Sequence, residues 1–135
     1  MTGIANHIGK YTQSDIRAEG TLYDGAEKAV RGTIDLKRGC AGAEGKEEEN
    51  VLLLGDDVVN KTIPLILCTE EDVKGSHGAS IGELEPEMLF YFEARGISKD
   101  EAEKIVAKAR LDRLCQDTEN EKAAAYMHQI IEEVI

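Results

Sequence analysis

The sequence contains no tryptophan and only two phenylalanines, Phe90 and Phe92, among 135 residues. Apolar residues still make up 41% of it, so its core has to be assembled from Val, Ile, Leu and Ala. Scarce aromatics mean few platforms for sugar rings, which weighs against a polysaccharide-cleaving enzyme. Cations are also in short supply: 16 Lys and Arg stand against 27 Asp and Glu, a net charge of -11. Binding a nucleic-acid backbone requires clustered Lys and Arg, and an anionic membrane surface repels such a chain. No apolar run approaches the ~20 residues that span a bilayer, and Met1 to Lys10 holds no signal-peptide core. The three cysteines, Cys40, Cys68 and Cys115, are odd in number and far apart, a pattern that fits a reducing cytoplasm better than a disulfide framework.

What is present divides into two halves. Up to about Ile81, short apolar or alternating segments recur between turn signals: Ile16–Leu22, Ala29–Leu36, Val51–Leu54, Ile63–Cys68 and Val73–Ile81. Val30, Gly32, Ile34 and Leu36 alternate with Arg31, Thr33 and Asp35, the period of a half-buried strand. Pro64 implies an edge, a bulge or a strand start. The first three segments have centres about 18 residues apart, a spacing that suits a β-solenoid but also a hairpin meander. The stretch Lys37–Asn50, rich in Gly and Glu, reads as a solvated, mobile turn.

From about Glu85 the punctuation is helical. Pro86 suits a first turn and Gly96 a left-handed stop, bracketing a helix over Glu87–Arg95. Its Met88, Leu89, Phe90, Tyr91 and Phe92 imply burial on more than one face. Ser98 and Glu101 form a capping-box pattern, followed by the stripe Ala102, Ile105, Val106 and Ala109. Thr118 and Glu121 repeat the pattern before a helix carrying Ala123, Met127, Ile130, Ile131 and Val134.

No catalytic constellation stands out, and the chain reads as non-enzymatic. The run Gly39–Glu47 fails as a phosphate loop, because Glu47 replaces the magnesium-binding Ser or Thr. HExxH, CxxC and GxSxG patterns are absent. His7 and His128 have no partners at ligand spacing, and His128 reads as a surface residue. His77, in Gly75-Ser76-His77-Gly78-Ala79, is flanked by small residues that leave its imidazole open as a metal ligand or proton carrier. The plain alternative is a histidine that hydrogen-bonds backbone in a tight Gly-rich corner. Cys68 reads as buried and inert, Cys115 as packing, and Cys40, in its Gly-rich loop, as the exposed thiol. Glu47, Glu48 and Glu49 read as a solvated charge run.

The ordered set Asp72-Val73-Lys74-Gly75-Ser76-His77-Gly78-Ala79, Leu89-Phe90-Tyr91, Arg95-Gly96-Ile97 and Glu101-Ala102 resembles the C-terminal signature of the SufB/SufD family of iron–sulfur cluster assembly scaffolds. It is closer to SufD, and Gly32–Leu36 and Asn50–Leu54 resemble the family's last β-helix rungs. The resemblance implies a fold: a right-handed parallel β-helix of few rungs over residues 1–83, then a C-terminal domain of about three helices over 84–135. It implies a non-catalytic scaffold that pairs through its β-helix with a SufB-type subunit or a second copy of itself. A SufC-type ABC ATPase would dock on the helices, with Glu93, Arg95 and Lys99 as contacts. His77 matches the family histidine at the subunit junction and becomes the candidate iron contact. No cofactor is expected to be held stably, only a transient iron–sulfur cluster shared with the partner. Gly75 and Glu49 stand where many SufD-like and SufB-like chains, respectively, carry cysteine, which points to a structural, SufD-like role. Against the family's usual length, the chain corresponds to a fragment or a shortened relative. The rival reading is a β-helical structural or protein-interaction domain with no cluster role.

Overall fold

The computed structural model describes residues 1–135. Six strands come first: β1 (Thr2–His7), β2 (Gln13–Tyr23), β3 (Glu27–Leu36), β4 (Ala43–Leu54), β5 (Val59–Cys68) and β6 (Val73–Gly82). Three helices follow: α1 (Pro86–Glu93), α2 (Lys99–Gln116) and α3 (Glu121–Val134). Successive strands alternate between two three-stranded parallel sheets, ordered β1-β3-β5 and β2-β4-β6. Thr2 pairs with Arg31 and Gln13 with Glu44, so each sheet is revisited after about 30 residues. The step from one sheet to the other is therefore about 15 residues, shorter than the spacing of about 18 read from the sequence, and the repeating unit is a coil of two strands. Stacked turns reinforce the coils: Gly25 N–H donates to the Asp57 carbonyl at 2.7 Å and Gly42 N–H to the Asp72 carbonyl at 2.6 Å.

The side chains between the sheets follow the period of two. From β3 come Val30, Gly32, Ile34 and Leu36, and from β4 come Ala43, Gly45, Glu47, Glu49 and Val51, all buried. Within this interior one apolar cluster is formed by Ile34, Leu36, Cys40 and Ala43, with Ile16 and Val73 against it. Pro64 lies on β5, the last strand of its sheet, where its missing N–H breaks no ladder on the open side.

Several sequence expectations are corrected here. Residues 43–50 are not a solvated turn but most of β4. Glu47 and Glu49 are buried, because the alternation that turns Glu48 outward turns its two neighbours inward. Cys40 is fully buried, whereas Cys68 is exposed on the open strand β5, its Sγ 3.0 Å from the Glu70 carbonyl. The Gly75–Ala79 segment is the middle of β6 rather than a tight corner.

The outer face of the β2-β4-β6 sheet is covered in part by α2, tied down where Asp117 at its C-cap meets Arg17 of β2 at 3.2 Å. Ser98 and Glu101 form the expected capping box, and Gly96 takes a φ of 80°, which ends the α1 segment. The α1 helix buries none of its residues: Phe90 is 72% exposed and Tyr91 54%. Burial on several faces is therefore not observed, since only α2 packs beside this short helix and no layer lies beyond it. In α2 the buried residues are Ala102, Ala107 and Cys115, while Ile105 faces out. Asn120, not Thr118, caps α3, accepting from the Lys122 and Ala123 N–H groups. The Thr118 hydroxyl instead donates to the Leu114 carbonyl. The ion pair Lys108–Glu132 and a 3.3 Å contact between His128 Nδ1 and Asp112 Oδ1 lace α2 to α3. No helix is long and apolar enough to cross a membrane.

Candidate functional site

The polar residues of the coil interior fall in rows across β2, β4 and β6. In one row Ile16, Glu47 and His77 are adjacent, and in the next Ala18, Glu49 and Ala79. Gly32 of β3 faces Glu47 across the interior: a methyl group there would overlap the carboxyl group, with Oε2 only 2.5 Å away. Glycine at 32 is what lets an acid fit between the sheets.

The two acids are accommodated differently. Glu49 is paired with the Nζ of Lys28, which also donates to Asn60 Oδ1 at 3.2 Å. Glu47 has no such partner. Its Oε2 makes no hydrogen bond, and the nearest group able to carry positive charge is His77, with Nδ1 4.0 Å away. The His77 side chain is 26% exposed at the open end of the stack, where β6 has no further strand beside it. His7 lies deeper and is fully engaged, Nδ1 with Thr12 Oγ1 at 2.7 Å and Nε2 with Ser14 Oγ at 2.8 Å. That makes it a satisfied interior histidine.

His77 Nδ1 and Glu47 Oε2, one nitrogen and one oxygen donor, stand 4.0 Å apart. No group of three or more His, Cys, Asp or Glu side chains is arranged to hold a metal ion. Two donors fall short of the four typical of a closed site.

The other predicted residues lie on the helical segment and make no ion pair or hydrogen bond with this site. Glu93, Arg95 and Lys99 are all exposed. Arg95 lies over the Tyr91 ring at 3.6 Å and donates to the Tyr91 carbonyl at 3.1 Å. Lys99 reaches Glu103 at 3.6 Å. Sequence reasoning singled out His77 but not Glu47, Glu49 or Lys28. The signal was there: Ala43, Gly45, Glu47, Glu49 and Val51 alternate like a strand whose inner face happens to carry acids.

Among the thiols, burial pushes Cys40 and Cys115 above the ordinary cysteine range, with the charge of Glu70 adding to the effect at Cys40 and that of Asp112 at Cys115. Neither is an activated nucleophile. Glu70, beside the Cys40 loop, is held below the usual carboxylate range by the backbone N–H groups of Gly39 and Glu71.

Comparison with known proteins gives this geometry a setting. The family described as "SUF system FeS cluster assembly, SufBD core domain" matches residues 1–110. The chain is 34% identical over 100 residues to the iron–sulfur cluster assembly protein SufD of Bacillus subtilis, covering 74% of this chain and 23% of that protein. It is 30% identical over 115 residues to a SufBD family protein of Synechocystis, covering 85% and 23%. Identity to a chloroplastic SufBD family protein of Arabidopsis thaliana is 29% over 114 residues, covering 84% and 20%. The chain therefore spans less than a quarter of the length of these relatives.

Proposed function

Because the chain belongs to the SufBD core family of the SUF iron–sulfur cluster assembly system, we propose that it is a non-catalytic scaffold subunit of cytoplasmic cluster assembly. The observation that carries this reading is the family match itself, which runs unbroken from β1 into α2. In this reading the coils form a right-handed parallel β-helix, and the open strands β5 and β6 pair with a SufB-type subunit or a second copy of the chain. Support comes from the unpaired edges of both strands and from Ile63, Leu65, Leu67 and Ile81, all of which are 42–47% exposed. An unpaired parallel edge with apolar side chains is a template for another strand.

His77 meets iron or a nascent cluster at that junction as cargo, not as a resident cofactor. Its neutral imidazole supplies one ligand, Glu47 lies beside it, and the partner completes the set. The SufC-type ATPase docks on the helical half, where Phe90 and Tyr91 of α1 are exposed and Glu93, Arg95 and Lys99 follow them in sequence. A shared cluster also accounts for an incomplete donor set in this chain alone.

The rival reading, a structural or interaction domain without a cluster role, is favoured by that same shortage of ligands. A pull-down of the cognate SufC by this chain, with and without ATP, separates the two. Binding that is weakened by charge reversal at Glu93, Arg95 and Lys99 supports the scaffold. A folded chain that captures no SufC removes the docking half of the proposal and leaves the structural domain.

A further inference from the structure

A cleft of about 420 Å³ lies between the C-terminal half of α2 and the outer face of the β2-β4-β6 sheet. It is on the opposite side of the sheet from Glu47 and His77 and independent of the scaffold reading. Its floor is formed by outward residues of the strands, among them Arg17, Asn50 and Ser80, and its wall by Arg110 and Arg113 of α2. Three guanidiniums at one cleft run against the character of a chain with net charge -11.

The three guanidiniums share the cleft with three carboxylates, Glu19, Glu48 and Asp117, of which two are paired with cations. Asp117 is bonded to Arg17 at 3.2 Å, Glu48 to Lys46 at 2.7 Å, and Glu19 accepts from Asn50 Nδ2 at 2.8 Å. Arg17 is further held by Asp15 at 3.1 Å, and these carboxylates raise its affinity for its proton. The Leu114 carbonyl near the end of α2 is taken up by Thr118 at 2.8 Å. Arg110 and Arg113 form no ion pair at all. Three residues apart on a helix, they share one face. Two guanidiniums without an ion pair, in one cleft with an amide and a hydroxyl, make a fork suited to an anion with several oxygens.

We infer that this cleft binds a small oxyanion ligand, a phosphate or a carboxylate, gripped by Arg110 and Arg113 with Asn50 and Ser80 completing its hydrogen bonds. The volume lies within the range of about 300–1,000 Å³ found for small-molecule sites, so the ligand is metabolite-sized rather than a polymer.

The test is a titration of the whole chain with inorganic phosphate and, separately, with succinate, at ionic strength held constant with sodium chloride and followed by amide NMR. At least one anion produces saturable shifts at Asn50, Ser80 and Arg113. Saturation by phosphate alone assigns a phosphate ligand, by succinate alone a carboxylate, and by both a general oxyanion site. In the double variant Arg110→Gln/Arg113→Gln the affinity falls by more than about tenfold, whereas Lys122→Gln, which removes a cation on α3, leaves it unchanged. Both arginines are exposed, and circular dichroism verifies that the double variant is folded. Absence of saturation with both anions in the unaltered chain overturns the inference, as does an equal response from all three proteins.

Discussion

Replacing Gly32 by alanine tests whether the coil interior is built around Glu47. A methyl group at position 32 would overlap the Glu47 carboxyl group. That group cannot swing into water, because Glu47 is only 2% exposed, with Ile16 on one side of it in the sheet and His77 on the other. Gly32→Ala is therefore an overpacking change and should cost about 1–3 kcal/mol. Glu47→Ala removes the carboxyl group along with its unpartnered Oε2 and opens the space the methyl needs. In that background Gly32→Ala should be neutral, or stabilising by about 0.4–1 kcal/mol through the stiffer unfolded chain. The expected coupling between the sites is at least about 1 kcal/mol. Urea unfolding followed by circular dichroism on the four proteins reads it directly, with melting temperatures moving roughly 3–5 °C per kcal/mol at this chain length. If Gly32→Ala costs the same with and without Glu47, the carboxyl group is not where the structure places it and the account of the interior fails.

Three further outcomes follow from particular contacts. Lys28→Ala leaves Glu49, 1% exposed, without its cation and should cost about 3–5 kcal/mol, while Lys28→Met/Glu49→Met should recover most of the loss; denaturant midpoints decide. Ser98→Ala removes the α2 cap and should cost about 0.5–2 kcal/mol at neutral pH. The Ser98 backbone and side chain hold the Glu101 carboxyl below its ordinary range, so their contribution is present above that range and is lost as pH falls through the lowered folded value. The stability gap between wild type and Ser98→Ala should accordingly narrow in acid; a gap that is constant from pH 7 to pH 3 would contradict the capping geometry. Of the three thiols only Cys68 is exposed, so a maleimide should label that one cysteine in the native protein and all three in urea. Mass mapping of the modified peptide checks which one it is.

The division into strands followed by helices was legible because punctuation and period are local. Pro86, Gly96 and the Ser98–Glu101 box each act within a turn or two, and Val30 to Leu36 shows its alternation outright. What escaped depends on contacts made about 30 residues away. Glu47 is tolerable inside only because residue 32 is glycine, and Glu49 only because Lys28 reaches it. Read alone, Glu47-Glu48-Glu49 is a charged surface run. The cysteines inverted for a related reason: the loop of Cys40 is roofed by neighbouring turns, while Cys68 sits on an open strand. In α1, the large residues suggested burial, but hydrophobicity alone does not say whether a covering layer exists in the same chain.

The interior acids also bear on how the candidate site is positioned. Slipping β4 by one residue would turn Glu44, Lys46, Glu48 and Asn50 inward and Ala43, Gly45 and Val51 outward. It would set a Lys and two acids against Ile34 and Leu36 with no cations arranged to meet those acids. In the native register the two inward acids each have a dedicated accommodation, and Gly45 gives Ile34 the room that any side chain would take. Register is thus fixed by a few specific polar and glycine positions more than by bulk hydrophobicity, which is modest where the main apolar cluster is only four buried residues. Because β6 pairs on β4, the same constraint sets His77 beside Glu47 and at the open end of the stack. The acid that costs stability in the interior is therefore also the one that defines where the exposed imidazole stands.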